Sequence, residues 1–192
     1  MAVYIPERLV VEARRRGFDV ESLVVDLLVR TLNLDPRIAG EAHLELSLKY
    51  LDEGRTLVDK DPVQASEKLY KAAEEAVKAL AIFYNLQDVL AGVEEKGRWT
   101  ASYLEKAVEA ISEKLGGWFL QSWDNAWALH VWGFHEAKLD SKAVEIFQLH
   151  VLDSRGHEGP SSPFSPAMNG IQLHTALAPS VPVIAPHSAN MH

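Results

Sequence analysis

A chain of 192 residues that is 47% hydrophobic can bury one ordinary core, and its formal net charge of −8 argues against general binding to a phosphate backbone, which uses a basic face. The absence of cysteine excludes disulfides, thiolate metal sites and a cysteine nucleophile, and it suits a reducing cytoplasm or a hot habitat that favours a thermostable chain. No apolar run approaches the roughly 20 residues of a membrane-spanning helix, and residues 1–8 lack the basic start and apolar core of a signal peptide.

In chain order, Val3 and Ile5 alternate with Ala2 and Tyr4 as in a short strand that Pro6 ends. A helix is predicted over 7–16 with Gly17 as its stop, and a second from Asp19 or Val20 to Asn33, striped by Leu23, Val24, Leu27 and Leu28. This strand-helix-helix segment, 1–33, resembles the ribbon-helix-helix repressors and antitoxins. The resemblance implies a dimer whose strands pair between subunits and enter the DNA major groove. The outward strand positions here, Ala2 and Tyr4, carry no base-reading cation. Arg14, Arg15 and Arg16 are the candidate nucleic-acid contacts, offset by Glu7, Glu12, Asp19, Glu21 and Asp26. The segment is therefore expected to act as a dimerisation or packing element, with DNA binding as the alternative.

Residues 34–152 read as a bundle of mostly antiparallel helices with short connections. Asp35-Pro36 opens the first, which Gly54 is expected to close. Asp61-Pro62 opens the second with the same cap-plus-proline start, and Gln64 completes a capping box. Leu69, Ala72, Ala73, Ala76, Leu80 and Phe83 recur on one face of that helix, so a small-residue stripe lets a neighbour approach closely. Glu67, Lys71, Glu74 and Lys78 fall on the other side at (i, i+4) spacing, and with Glu75 they read as a solvated salt-bridged face. Gly92 and Gly97 mark a connector. Helices follow over 100–115, stopped by Gly116-Gly117, from Trp118 to about Val131, and over 141–152.

All five tryptophans lie between Trp99 and Trp132. Trp123, Trp127, His130 and Phe134 share a face if their helix continues, and bulky rings would fill the space that alanines leave. Core packing is one outcome for this face and an aromatic pocket for a flat ligand is the other. Asp124, Asn125 and Glu136 are the expected partners for the ring nitrogens. His130 and His135, five apart, do not share a face of a regular α-helix, and no His-Glu-x-x-His order is present, so neither a metal site nor a cofactor is predicted.

Residues 153–192 hold six of the nine prolines and four of the eight histidines, without an amphipathic period. They read as a disordered low-complexity tail.

The segments Glu41-Ala42-His43-Leu44-Glu45-Leu46, 61–80 and 127–136 resemble the archaeal PaREP family. The 70–80 helix is more distantly similar to one in the HEPN domains. That likeness implies an all-α, HEPN-like bundle that dimerises. It also implies a nucleotide-binding module or a metal-independent ribonuclease of the toxin–antitoxin kind. The HEPN ribonuclease signature places an Arg four to six residues before a His. Here Asp124 stands six residues before His130, and an acid there repels phosphate. The expectation is thus a self-associating binding or interaction module, more a binder than an enzyme, with a nucleotide-like ligand or a protein partner. Trp123, Asp124, Trp127, His130, His135 and Glu136 are its candidate ligand-binding residues, and no catalytic residue is assigned. A ribonuclease or nucleotide-handling toxin using His130, His135 and Glu136 is the alternative.

Overall fold

The computed structural model describes residues 3–152, and the predicted tail, with His157, His174, His187 and His192, lies outside the described residues. The described residues form eight α-helices and one π-helical segment: α1 (Glu7–Arg15), α2 (Val20–Thr31), α3 (Pro36–Leu57), α4 (Pro62–Phe83), α5 (Gln87–Lys96), α6 (Ala101–Leu115), α7 (Gly117–Ala128), the π segment (Leu129–His135) and α8 (Ser141–Leu152). The class is all-α, as the periodicity implied.

Local chemistry sets most boundaries. Asp19 accepts a hydrogen bond from the Ser22 amide at 2.9 Å, Asp35 from Arg37 at 2.9 Å and Asp61 from Gln64 at 3.0 Å, so each satisfies an orphan donor of the helix it starts. Pro36 and Pro62 follow two of these caps, where a missing N–H costs nothing. Gly97, at φ +69°, ends α5 in the left-handed region that glycine tolerates best.

Three local expectations are corrected. Residues 3–6 form no strand: a strand exists only through ladder bonds to a neighbour, and among the described residues none runs beside them. Gly54 does not stop α3, which continues to Leu57. A Cβ there would lie 2.8 Å from Cγ of Leu69, so this glycine serves close helix approach. The glycine connector is itself helix α5, in which Gly92 makes room for the Tyr103 ring.

Helix α4 is the centre of the bundle. It pairs with α3 as a long hairpin and also meets α6, α7, the π segment and α8. Val58, Ala65, Leu69, Leu129 and Val144 form one apolar cluster, and Leu46, Tyr50 and Ala72 another. Of the predicted stripe, Leu69, Ala72 and Ala76 are buried against neighbouring helices, Ala73 and Leu80 are half-buried, and Phe83 at its end is 40% exposed.

The opposite face of α4 corrects the solvated reading. Glu75 is 0% exposed and Lys78 1%, because α2 lies across them. Lys78 Nζ bonds Glu75 at 2.7 Å and lies 3.4 Å from Glu74 and 3.3 Å from Asp26 of α2. Glu75 also accepts from Nδ1 of buried His43 at 2.7 Å and from the Ser22 hydroxyl at 2.7 Å. Among the described residues no buried side-chain nitrogen or oxygen is left without a partner, so this ionic layer is fully satisfied. Burial alone would push the Glu75 carboxyl up, but the His43 bond and the Lys78 charge prevail and hold it at about 2. Burial likewise disfavours the charged Lys78, yet Glu74, Glu75 and Asp26 together hold its pKa above the ordinary lysine value.

Candidate functional site: a histidine and aromatic surface on a π-helix

The helix that begins at Gly117 does not remain α-helical. From Leu129 to His135 it widens into a π-helix, and the Glu136 amide donates to the Val131 carbonyl five residues back, at 2.9 Å. The wider turn brings residues five apart toward one face. His130 and His135, which an α-helix would separate, therefore meet, with Nε2 to Nε2 at 3.1 Å. The segment is held against α4 by Leu129, fully buried in the core, and by Gly133, where a Cβ would stand 2.2 Å from the Ser66 hydroxyl. Such packing offsets the poorer geometry of a π turn.

Rings gather on this segment. Tyr70 of α4 stacks on His130 with centroids 4.1 Å apart and planes 26° apart, and His130 stacks on Phe134 at 6.2 Å and 22°. Trp127 touches both Tyr70, at 6.0 Å, and His130, at 5.6 Å, and is 38% exposed. Trp123 adjoins Tyr70 at 5.9 Å but is only 3% exposed, with its indole N–H donating to Glu105 at 3.0 Å. The tryptophans thus divide: Trp123 fills the interior and Trp127 faces outward.

The polar groups form a chain. Glu67 of α4 accepts from Nδ1 of His130 at 3.2 Å. A carboxylate only accepts, so Nδ1 of His130 carries the proton, and its Nε2 shares a hydrogen bond with Nε2 of His135. The sequence of contacts is Glu67–His130–His135, running from a partly buried carboxylate to an exposed imidazole. Burial and then the charges of Glu74, Glu67 and Glu105 push the Tyr70 phenol well above its ordinary range, so it stays protonated.

Of the six residues singled out from sequence, Trp123, Trp127, His130 and His135 come together here. Asp124 and Glu136 do not: the Asp124 side chain makes no hydrogen bond or ion pair among the described residues, and Glu136 pairs with Lys138 at 3.0 Å. The actual partners of the ring nitrogens, Glu67 and Glu105, come from α4 and α6, and only their distance along the chain hid them. Arg14, Arg15 and Arg16 lie apart from this surface on and just after α1, where Arg15 and Arg16 both pair with Glu12, at 2.9 and 2.7 Å. Among the described residues no group of three His, Asp or Glu is placed to hold a metal ion, and no single helix is long and apolar enough to cross a membrane.

The sequence matches a family model over residues 42–154, that of the archaeal PaREP1/PaREP8 family. The chain belongs to that family. A protein of Sulfolobus solfataricus known from its crystal structure is similar at 40% identity and a TM-score of 0.51, over 55% of this chain and 86% of that one. No curated protein matches. The PaREP1/PaREP8 match begins inside α3, so the His–aromatic surface falls within it, while α1 and α2 lie before it.

Proposed function

We propose that this chain is a self-associating binding module that takes a flat, nucleotide-like ligand on the ring surface where α7 passes into the π segment. The observation that carries this reading is the stacked series Tyr70–His130–Phe134, with exposed Trp127 and His135 at its open side. A nucleobase would extend the stack, each base–ring contact being worth about 1–3 kcal/mol, and His135 would supply a directed hydrogen bond. Titration with adenosine monophosphate should quench the tryptophan fluorescence saturably. Trp127→Leu and His135→Ala should abolish the response while leaving the helical circular dichroism unchanged. A flat titration of the intact chain up to millimolar nucleotide would refute the reading.

Self-association is assigned to the N-terminal helices. Tyr4, Leu9, Val11, Leu28 and Leu32 are apolar and exposed there, and a second copy would cover them. Light scattering should give twice the chain mass for the intact protein and the single mass for Leu28→Asp combined with Val11→Asp. A monomeric intact protein would end this part of the proposal.

The Glu67–His130–His135 chain favours a second reading, proton transfer in the cleavage of RNA. Labelled RNA cut by the intact protein and spared by His130→Ala would replace the binder with an enzyme.

A further inference from the structure

Farther along α4, toward its C-terminal half, a cavity of about 340 Å³ opens between α2, α4 and the turn from α5 into α6. That volume lies within the range of small-ligand pockets, roughly 300–1,000 Å³. Its floor is the ionic layer, and the cations there are already neutralised. Lys71 pairs with Glu74 at 2.7 Å, and Lys78 with Glu75, Glu74 and Asp26. Two guanidinium groups on its wall are not. Arg30, at the end of α2, donates to the Gly97 carbonyl. Arg98, in the facing turn, lies 5.9 Å from the centre of the Phe18 ring. Neither has a carboxylate partner among the described residues, in a chain whose formal charge is −8. Both are exposed, and they approach one cavity from two different elements.

Guanidinium forks match the oxygens of a phosphate, and two of them make a dianion's seat. A free inorganic anion would leave the rest of the cavity unused. Its lining also includes the Asp26 carboxylate, which keeps a quarter of its surface open although Lys78 and His43 lie 3.3 and 3.7 Å away. A carboxylate in that place accepts a hydrogen bond from a hydroxyl or amino group. Phe18 and Trp99 add apolar surface to the same lining.

We propose that this cavity binds a small phosphate monoester bearing a hydroxyl or amino group, with its phosphate between Arg30 and Arg98 and its body directed at Asp26. The site depends on α2, which precedes the family match, so the N-terminal helices complete a pocket as well as present a surface. It is separate from the ring surface, and its ligand needs no base to stack.

The full-length chain would be titrated calorimetrically with ribose 5-phosphate, glycerol 3-phosphate and adenosine monophosphate, with ribose and inorganic phosphate beside them. At least one ester should bind saturably, and more tightly than either ribose or inorganic phosphate. Arg98→Gln and Arg30→Lys should each weaken that binding by roughly tenfold or more, the latter because it retains charge but loses the fork. Both positions are exposed, so the fold should persist, checked by circular dichroism. His135→Ala should leave ribose 5-phosphate binding unchanged, which separates this site from the ring surface. The proposal fails if no ester binds at millimolar concentration, if inorganic phosphate binds as well as every ester, or if the arginine variants bind like the parent.

Discussion

Two polar clusters flank helix α4, and they differ in how completely they are satisfied. Under α2, Glu75, Lys78, His43, Ser22 and Asp26 form a closed layer in which each group serves another. On the π segment, the Glu67–His130–His135 chain starts on a partly buried carboxylate and ends on an exposed ring. Apart from Asp26, a quarter of which stays open at the cavity, the first has little interaction capacity left over, so its work is to hold α2 on the α3–α4 hairpin. The second keeps ring faces and a nitrogen turned outward, which is the arrangement a ligand needs. Buried charge by itself is therefore a poor pointer to function here, and incomplete satisfaction a better one.

Breaking the closed layer should have the largest effect. Lys78→Met removes the cation shared by Glu74, Glu75 and Asp26, and leaving buried carboxylates unpaired costs on the order of 3–5 kcal/mol. Urea denaturation should show that loss, and a change below about 1 kcal/mol would mean that the layer contributes little.

Acid titrates the same layer. The Glu75 carboxyl sits at about 2 in the folded chain against a reference of 4.5, so its contribution is complete above 4.5 and disappears as the pH falls toward 2. The intact protein should lose a few kcal/mol across that window. A Glu75→Gln variant should be less stable at neutral pH and lose less on acidification. Parallel stability–pH curves for the two proteins would remove Glu75 from the account.

The π segment gives a smaller effect. Gly133→Ala puts a Cβ into the Ser66 side chain, with an overpacking cost of about 1–3 kcal/mol. Ser66→Gly in the same chain should return part of it, and a double variant no better than the single would place the strain elsewhere. The smallest expected change in stability is at the open end of the relay. His135→Ala should alter the unfolding free energy by no more than about 0.5 kcal/mol while eliminating the nucleotide response. A large loss of stability would make His135 a structural residue and level the contrast between the two clusters.

The ring surface was half legible in the chain. Trp127, His130 and Phe134 recur at helical spacing, and ring contacts do connect them. The meeting of His130 with His135 was not legible, because it depends on a π turn kept in place by the approach of Gly133 to Ser66. The partner of His130 was equally hidden, since Glu67 is 63 residues away. In the sequence Glu67 reads, with Lys71, Glu74 and Lys78, as part of a solvated stripe. The cavity is the extreme case: Arg30 and Arg98 share no motif, and only the fold brings them to one opening.

What the amino-acid sequence determined alone was every helix except α5, and most of their ends, because Asp-Pro starts and 3.6-residue periodicity act within a few residues. It determined the all-α class for the same reason, and the first half of the small-residue stripe on α4, Leu69 to Ala76. Tertiary structure decided which charges are interior. An (i, i+4) pattern of Glu and Lys is the same string whether water or another helix covers it, and α2 reaches Glu75 across 53 residues. It also decided that the last turns of the Trp-rich helix widen, since a π-helix persists only where neighbouring packing offsets its poorer hydrogen bonds.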